Sequence, residues 1–210
     1  NLTGELPIKM YSQSLQSVSM SNNWITGKIP PAFGDLPNLT TLSLQSNKFV
    51  GVIPEEIFNL KKLYEINVSD NNLSGEIPAS IAACVQLTSI DFSRNSFIGE
   101  FPRGILSLFN LYILNVSRNQ LKGEIPIELG HMESLTVLDL SYNQFSGRVP
   151  IDGQLKDFSD TIFSGNPNLC LPQTTHCPII STSQNNNPSI PASKIMIAII
   201  VVITTLSLFI

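Results

Sequence analysis

Cys170 and Cys177 stand seven residues apart, with His176 beside the second. That spacing suits a disulfide in an oxidising compartment, and closing so small a loop contributes about 2–3 kcal/mol in the chain-entropy model. A zinc site is the rival chemistry, but it takes four ligands and His176 is the only further donor nearby. Cys84 stands alone. Asn1, Asn38, Asn67, Asn72 and Asn115 open Asn-x-Ser/Thr sequons, which accept N-linked glycans on a lumenal and later extracellular side. His131 and His176 have no patterned acid and nucleophile, and there is no glycine-rich phosphate loop, His-Arg-Asp or Asp-Phe-Gly. No catalytic, cofactor or metal residues are therefore assigned in this chain. A net charge of -4 without clustered Lys or Arg argues against nucleic acid. Only 13% of residues are charged, and Asn and Ser supply much of the polar surface.

The element that must position these residues is a repeat. Asn23, Asn47, Asn71, Asn95, Asn119 and Asn143 recur every 24 residues. Each closes a run of the form L-x-x-L-x-L-x-x-N, opening at Leu15, Leu39, Leu63, Leu87, Leu111 and Leu135. After each comes a glycine (Gly27 to Gly147) and then a proline (Pro30 to Pro150); Leu2, Gly4, Leu6 and Pro7 fit one earlier, partial copy. Because the chain begins in mid-pattern, its true N-terminus is expected upstream.

Each column has a physical role. The L-x-L pair, such as Leu138 and Leu140, puts both side chains on one face of a short strand. One coil cannot bury that face, but stacked coils share a core, which predicts an α/β solenoid with short parallel strands on its concave side. The Asn amide both donates and accepts, so it satisfies backbone groups where the strand turns. Gly supplies the bend, and Pro ends a short second strand. After it, spacing such as Ile57, Leu60 and Leu63 suits a short helical or 3₁₀ stretch. Cys84 falls in the column Leu36, Leu60, Cys84, Leu108, Met132, the place of a small buried hydrophobe.

Past Pro150 the repeat decays. Residues 1–150 are assigned to the repeats and 151–177 to a C-terminal cap, with Phe158 and Phe163 covering the last coil. Residues 178–194, polar and uncharged from Ser181 to Pro188, are expected to form an extracellular stalk. Residues 195–210 carry no charge; at 1.5 Å each they span about 24 Å, short of a bilayer core near 30 Å, and are expected to be a truncated transmembrane helix in contact with lipid.

Residues preceding the Asn column, Asn22, Ser46, Asp70, Arg94, Arg118 and Tyr142, are expected to stack as a ladder on the concave sheet. Asp70 is expected to offset Arg94, leaving Arg118 as the spare cation for an acidic group or a peptide carboxylate. Alternation sends Asn67 and Asn115 onto the same face, where a glycan would cover part of it. Tyr64, Asp70, Arg94, Tyr112, Arg118 and Tyr142 are the candidate partner contacts.

The columns resemble the 24-residue leucine-rich repeats of plant receptor-like kinases and receptor-like proteins. Gly147-Arg148-Val149-Pro150, Gly153-Gln154 and Asn168-Leu169-Cys170-Leu171-Pro172 resemble the cap of the CLAVATA-type class. The resemblance implies a right-handed superhelix or horseshoe on the outside of a single-pass type I plasma-membrane protein. It further implies a secreted peptide ligand of the CLE kind, roles in plant development, a leucine-rich repeat co-receptor meeting the last repeats and cap (Tyr112, Tyr142, Arg118), and a Ser/Thr kinase domain beyond Ile210. The family's R-x-R pair for the peptide carboxylate is absent, so that role is not carried over. A kinase-less receptor-like protein or a defence-related binding protein shares every one of these features.

Overall fold

A computed structural model describes residues 1–171. Its strands run, in chain order, β1 (Thr3–Glu5), β2 (Ser17–Ser19), β3 (Trp24–Thr26), β4 (Thr41–Ser43), β5 (Val50–Gly51), β6 (Glu65–Asn67) and β7 (Asn72–Glu76). There follow β8 (Ser89–Asp91), β9 (Ser96–Ile98), β10 (Ile113–Asn115), β11 (Lys122–Glu124), β12 (Val137–Asp139), β13 (Gln144–Arg148) and β14 (Asn168–Cys170). The even strands β2 to β12 form one six-stranded parallel sheet in sequence order. Its register advances by 24 residues per strand, as in Leu42 beside Ile66 and Ile66 beside Ile90. The odd strands and β14 make a lateral ladder in three segments, continued by the bridges Lys28 to Val50 and Glu100 to Lys122.

Every central residue of the main sheet, Val18, Leu42, Ile66, Ile90, Leu114 and Leu138, is buried. So are the openers from Leu39 to Leu135 and the residues two places past each strand centre, from Leu44 to Leu140. Phe49, Phe97 and Phe145 alternate with Leu73 and Leu121 in a further buried column, so large and small side chains interleave from coil to coil. Phe92 sits between Val68 and Val116 in its own column and meets Phe97 at 5.9 Å between ring centroids, tilted by 52°.

The outer segments are 3₁₀ turns, each entered from a proline held near φ -60° to -70°: Pro31–Asp35, Glu55–Asn59, Ala79–Ala83, Arg103–Ser107 and Ile127–His131. Their amides donate three residues back, Phe33 to Pro30 and Leu36 to Phe33. Each turn is only five residues long, too short for α-helical bonding to propagate. Among the described residues the helical part of the expected α/β solenoid is thus 3₁₀ throughout. None of these helices is long and apolar enough to cross a membrane, and the expected stalk and span, 178–210, lie outside the described residues.

The Asn column stitches neighbouring coils. Asn119 Oδ1 accepts the Phe97 amide at 3.0 Å, while its Nδ2 donates to the carbonyls of Phe92, Val116 and Ser117. Asn47, Asn71, Asn95 and Asn143 repeat the arrangement. The series does not stop at Pro150. Asn166 accepts the Phe145 amide and donates to the Leu140 and Phe163 carbonyls, so the segment after the last clear repeat folds as a further, irregular coil. It holds 3₁₀ turns at Gly153–Asp157 and Asp160–Phe163, with Leu155 and Phe163 buried and Phe158 partly buried against the core. β14 pairs with β13 at the end of the lateral ladder and carries Cys170, which is buried. The expected partner Cys177, and His176, lie outside the described residues.

Cys84 is fully buried, its Sγ 3.3 Å from the carbonyl oxygens of both Phe58 and Leu60. Burial disfavours the thiolate and pushes the thiol from 9.0 up to about 11, against a smaller opposing pull from the Lys61 charge. The folded state therefore holds this proton more tightly than the unfolded chain does. Its contribution to stability is complete below pH 9 and is lost as pH rises toward about 11. Cys84 is expected to resist iodoacetamide at pH 8 until the chain unfolds, and mass spectrometry of alkylated protein across a urea series measures this.

Candidate functional site

The main sheet offers an exposed face opposite the core. On it lie Tyr64 and Tyr112, one before β6 and one before β10, exposed by 45% and 52%. Ile113 pairs with Val137 beside Tyr112, and Val137 is itself exposed.

At the edge of this face the expected ladder takes an unexpected form. Asn22, Ser46, Asp70, Arg94, Arg118 and Tyr142 all have positive φ, between 53° and 57°. A left-handed residue turns the chain out of each strand toward its Asn. Such a conformation is unremarkable for Asn and Asp but costs roughly 1 kcal/mol for Arg or Tyr. The turn signal in the sequence is the run Asn22, Ser46, Asp70, small polar residues suited to left-handed backbone; Arg and Tyr in the later coils mask it. Arg94→Val is expected to lower stability by about 1–2 kcal/mol, since branching at Cβ worsens the clash, while Arg94→Asn holds or raises it. Urea denaturation midpoints of the two variants measure the difference.

The side chains of this row pair differently from expectation. Asp70 does not meet Arg94: its Oδ2 accepts the Ser46 hydroxyl at 3.0 Å, on the coil before. Arg118 keeps its charge free of any described carboxylate, with its guanidinium 4.2 Å from the centre of the Tyr142 ring. Tyr142 is held in turn by the following coil, for a side chain at Gly165 would meet its ring at 2.6 Å. The ion pair found among the described residues is elsewhere, Arg103 to Glu128 at 3.6 Å and well exposed. Arg94 and Arg118 are both exposed cations of the row that no described carboxylate neutralises; Arg118 alone has a ring beside it.

Asn67 and Asn115 end their strands opposite the buried Ile66 and Leu114. Each Oδ1 accepts the backbone amide and hydroxyl of the serine two residues on, Ser69 or Ser117, at 2.7–3.0 Å. Asp91 and Asp139 occupy the same column and accept the amides of Ser93 and Ser141 in the same way. An Asx turn followed by a buried small hydroxyl residue thus accounts for the Asn-Val-Ser pattern on structural grounds alone. Asn38 differs, with Nδ2 donating to the Gln13 carbonyl at 2.6 Å and Oδ1 accepting from Lys62. Asn1 and Asn72 are exposed.

Comparisons with known proteins agree with this geometry. The model "Leucine rich repeat" matches residues 37–97, "Leucine Rich repeats (2 copies)" residues 13–54, and "Leucine Rich Repeat" residues 110–132 and 134–154. No curated protein sequence matches the chain. Among solved structures, the Arabidopsis receptor kinase HAESA in complex with the peptide hormone IDA and the co-receptor SERK1 is 36% identical over 83% of this chain and 29% of that one, at a TM-score of 0.76. The plant peptide hormone receptor RGFR1 in complex with RGF2 is 32% identical over 80% of this chain and 27% of that one, at 0.73. The ectodomain of BIR2 from Arabidopsis thaliana is 32% identical over 61% of this chain and 68% of that one, at 0.57. The chain spans under a third of the two receptors it matches first.

Proposed function

Because the chain belongs to the leucine-rich repeat family and is similar to plant receptor ectodomains over most of its length, we propose that it is the extracellular recognition part of a plant receptor-like kinase that perceives a secreted peptide. The carrying observation is the exposed face of the six-stranded sheet, edged by Arg94 and by the Arg118–Tyr142 stack and bearing Tyr64 and Tyr112. Such a face offers aromatic surface for a peptide's apolar side chains and two unneutralised guanidinium groups, Arg94 and Arg118, of which Arg94 has no ring over it, for a carboxylate. In this reading Arg94 meets an acidic group of the peptide, while Tyr112, Arg118, Tyr142 and the 151–177 segment meet a co-receptor ectodomain. A CLE-type peptide is the ligand class chosen, on the likeness of the C-terminal coil to the CLAVATA type. The proposal includes the Cys170–Cys177 disulfide, the stalk 178–194, a single span at 195–210 in the plasma membrane, and a kinase beyond it. It also places glycans on the five sequons, with at least one of Asn67 and Asn115 occupied; no described residue hydrogen-bonds to the Nδ2 of either.

Calorimetric titration of the chain with synthetic CLE-type peptides tests the reading. Arg94→Ala is expected to weaken binding of a free-acid peptide about tenfold and to leave a C-amidated peptide nearly unaffected. Equal effects on both peptides, or no binding by either, would remove the peptide from this face. Glycopeptide mass spectrometry of protein from its native host reads sequon use directly.

A further inference from the structure

A second surface lies on the lateral ladder, away from the sheet face just described. From Pro7 to Leu15 the first coil takes eight residues, where the next takes nine from Pro30 to Leu39, and it forms no 3₁₀ turn there. A groove of about 990 Å³ lies here, beside β3, β5 and β7. Ile8, Val50 and Val52 are exposed along it by 83%, 44% and 55%, and the buried Ile29 and Ile53 back it. Three solvent-facing aliphatic side chains in one groove form an apolar patch of the kind that marks a contact site.

Its rim is predominantly acidic. Glu5, Glu55, Glu56 and Glu76 line the groove against the single cation Lys28, and none of these carboxylates has an ion-pair partner among the described residues. Glu5 ends β1 and Glu76 ends β7, three strand steps apart along the lateral ladder. At strand spacing that is about 14 Å, the length of about four extended residues. Val52 occupies the floor between them, and its side chain lies across Gly75, where an added Cβ would stand 2.8 Å from it. The floor is therefore held in place by the next coil.

We propose that this groove docks an extended segment of a partner protein in which an aliphatic side chain is flanked on the same side by basic residues. The aliphatic group sits over Val50 and Val52, and the two cations reach Glu5 and Glu76, with Glu55 and Glu56 adding to the attraction. The surface is independent of the peptide-binding reading of the sheet face, and so is its test.

The probe is the pentapeptide acetyl-Lys-Ser-Leu-Ser-Lys-amide, in which the lysines and the leucine share one face when extended. Its counterpart is acetyl-Glu-Ser-Leu-Ser-Glu-amide, and both are titrated against the full chain by isothermal calorimetry. The basic probe is expected to bind and to weaken about tenfold or more when salt rises from about 0.05 to 0.3 M. E5Q/E76Q and V50S/V52S are each expected to lose it, while E100Q/E124Q, on the same ladder but outside the groove, retains it. Melting curves by circular dichroism identify any variant that has lost its fold, and hydrogen exchange of wild type with and without probe is expected to protect residues 50–54. Binding of the acidic probe with equal strength, retention of the basic probe by folded E5Q/E76Q, or protection confined to other coils overturns the proposal. So does absence of probe binding combined with self-association that V52S abolishes, which would assign the groove to a second copy of the chain.

Discussion

Asn119→Ala is expected to destabilise the fold by about 3–4 kcal/mol, more than its loss of surface area alone would suggest. The reason lies in which partners have alternatives. The Phe92 carbonyl also accepts from Asn95, the Val116 carbonyl from Asn143, and the Ser117 carbonyl from the Arg94 amide. Each loses one bond and keeps another, at about 0.5–1 kcal/mol apiece. The Phe97 amide has only the Asn119 oxygen, and it would be left buried and unpaired at about 1–3 kcal/mol. Asn119→Asp is expected to be worse than alanine at neutral pH, because it buries a charge against three carbonyls and removes both donor hydrogens. Asn23→Ala, at a partly exposed position where the acceptor serves the exposed Leu2 amide, is expected to cost about 1 kcal/mol. Urea titrations followed by circular dichroism rank the three.

Gly153→Ala is expected to unfold the last coil at a cost of about 3 kcal/mol or more. An added Cβ would stand 2.0 Å from the Gly130 carbonyl oxygen, and Gly153 has φ +62° besides. The clash is with backbone, so no rotamer relieves it. Gly130→Ala should do nearly the same, since its Cβ would stand 2.3 Å from the Asp152 carbonyl oxygen. Two 3₁₀ turns approach each other there through facing glycines, and each substitution forces them apart. Gly4→Ala is the control: nothing lies within 4 Å, so only its φ of +93° is strained, at roughly 1 kcal/mol. Hydrogen exchange should show protection lost across 151–171 in the Gly153 and Gly130 variants while β2 to β8 stay protected.

The parts of this molecule that repeat were legible in its sequence. Leucine at fixed spacing states which side of a strand is buried, and one Asn in the same place six times states where each strand turns. What single positions do was less accessible. Asp70 and Arg94 look like a cross-strand pair when the residues are laid on ideal strands. Asp70 bonds instead to Ser46 on the coil before, and the left-handed backbone of the row is announced only by the company they keep with Asn22 and Ser46. Asn166 escaped because its coil breaks the leucine rule, with 3₁₀ turns where a strand is expected; its distance of 23 residues from Asn143 was the available signal. The sequons at Asn67 and Asn115 are an opposite case. A pattern that suggests glycosylation turns out to have a second cause in the hydrogen bonds of the turn, visible once Asp91 and Asp139 are seen in the same role.

Each ladder Asn completes the backbone of the coil before it, never of the coil after. A coil lifted from the C-terminal end therefore strips its predecessor of an acceptor at once, and makes that predecessor the next to go. Tension applied at this end would peel the solenoid as a zip opens, in equal paces of 24 residues, each releasing about 80 Å of chain. Pulled sideways through the lateral ladder, the same coils would share the load. The stack is thus a stepwise extensible tether in one direction and a stiff spacer in the other.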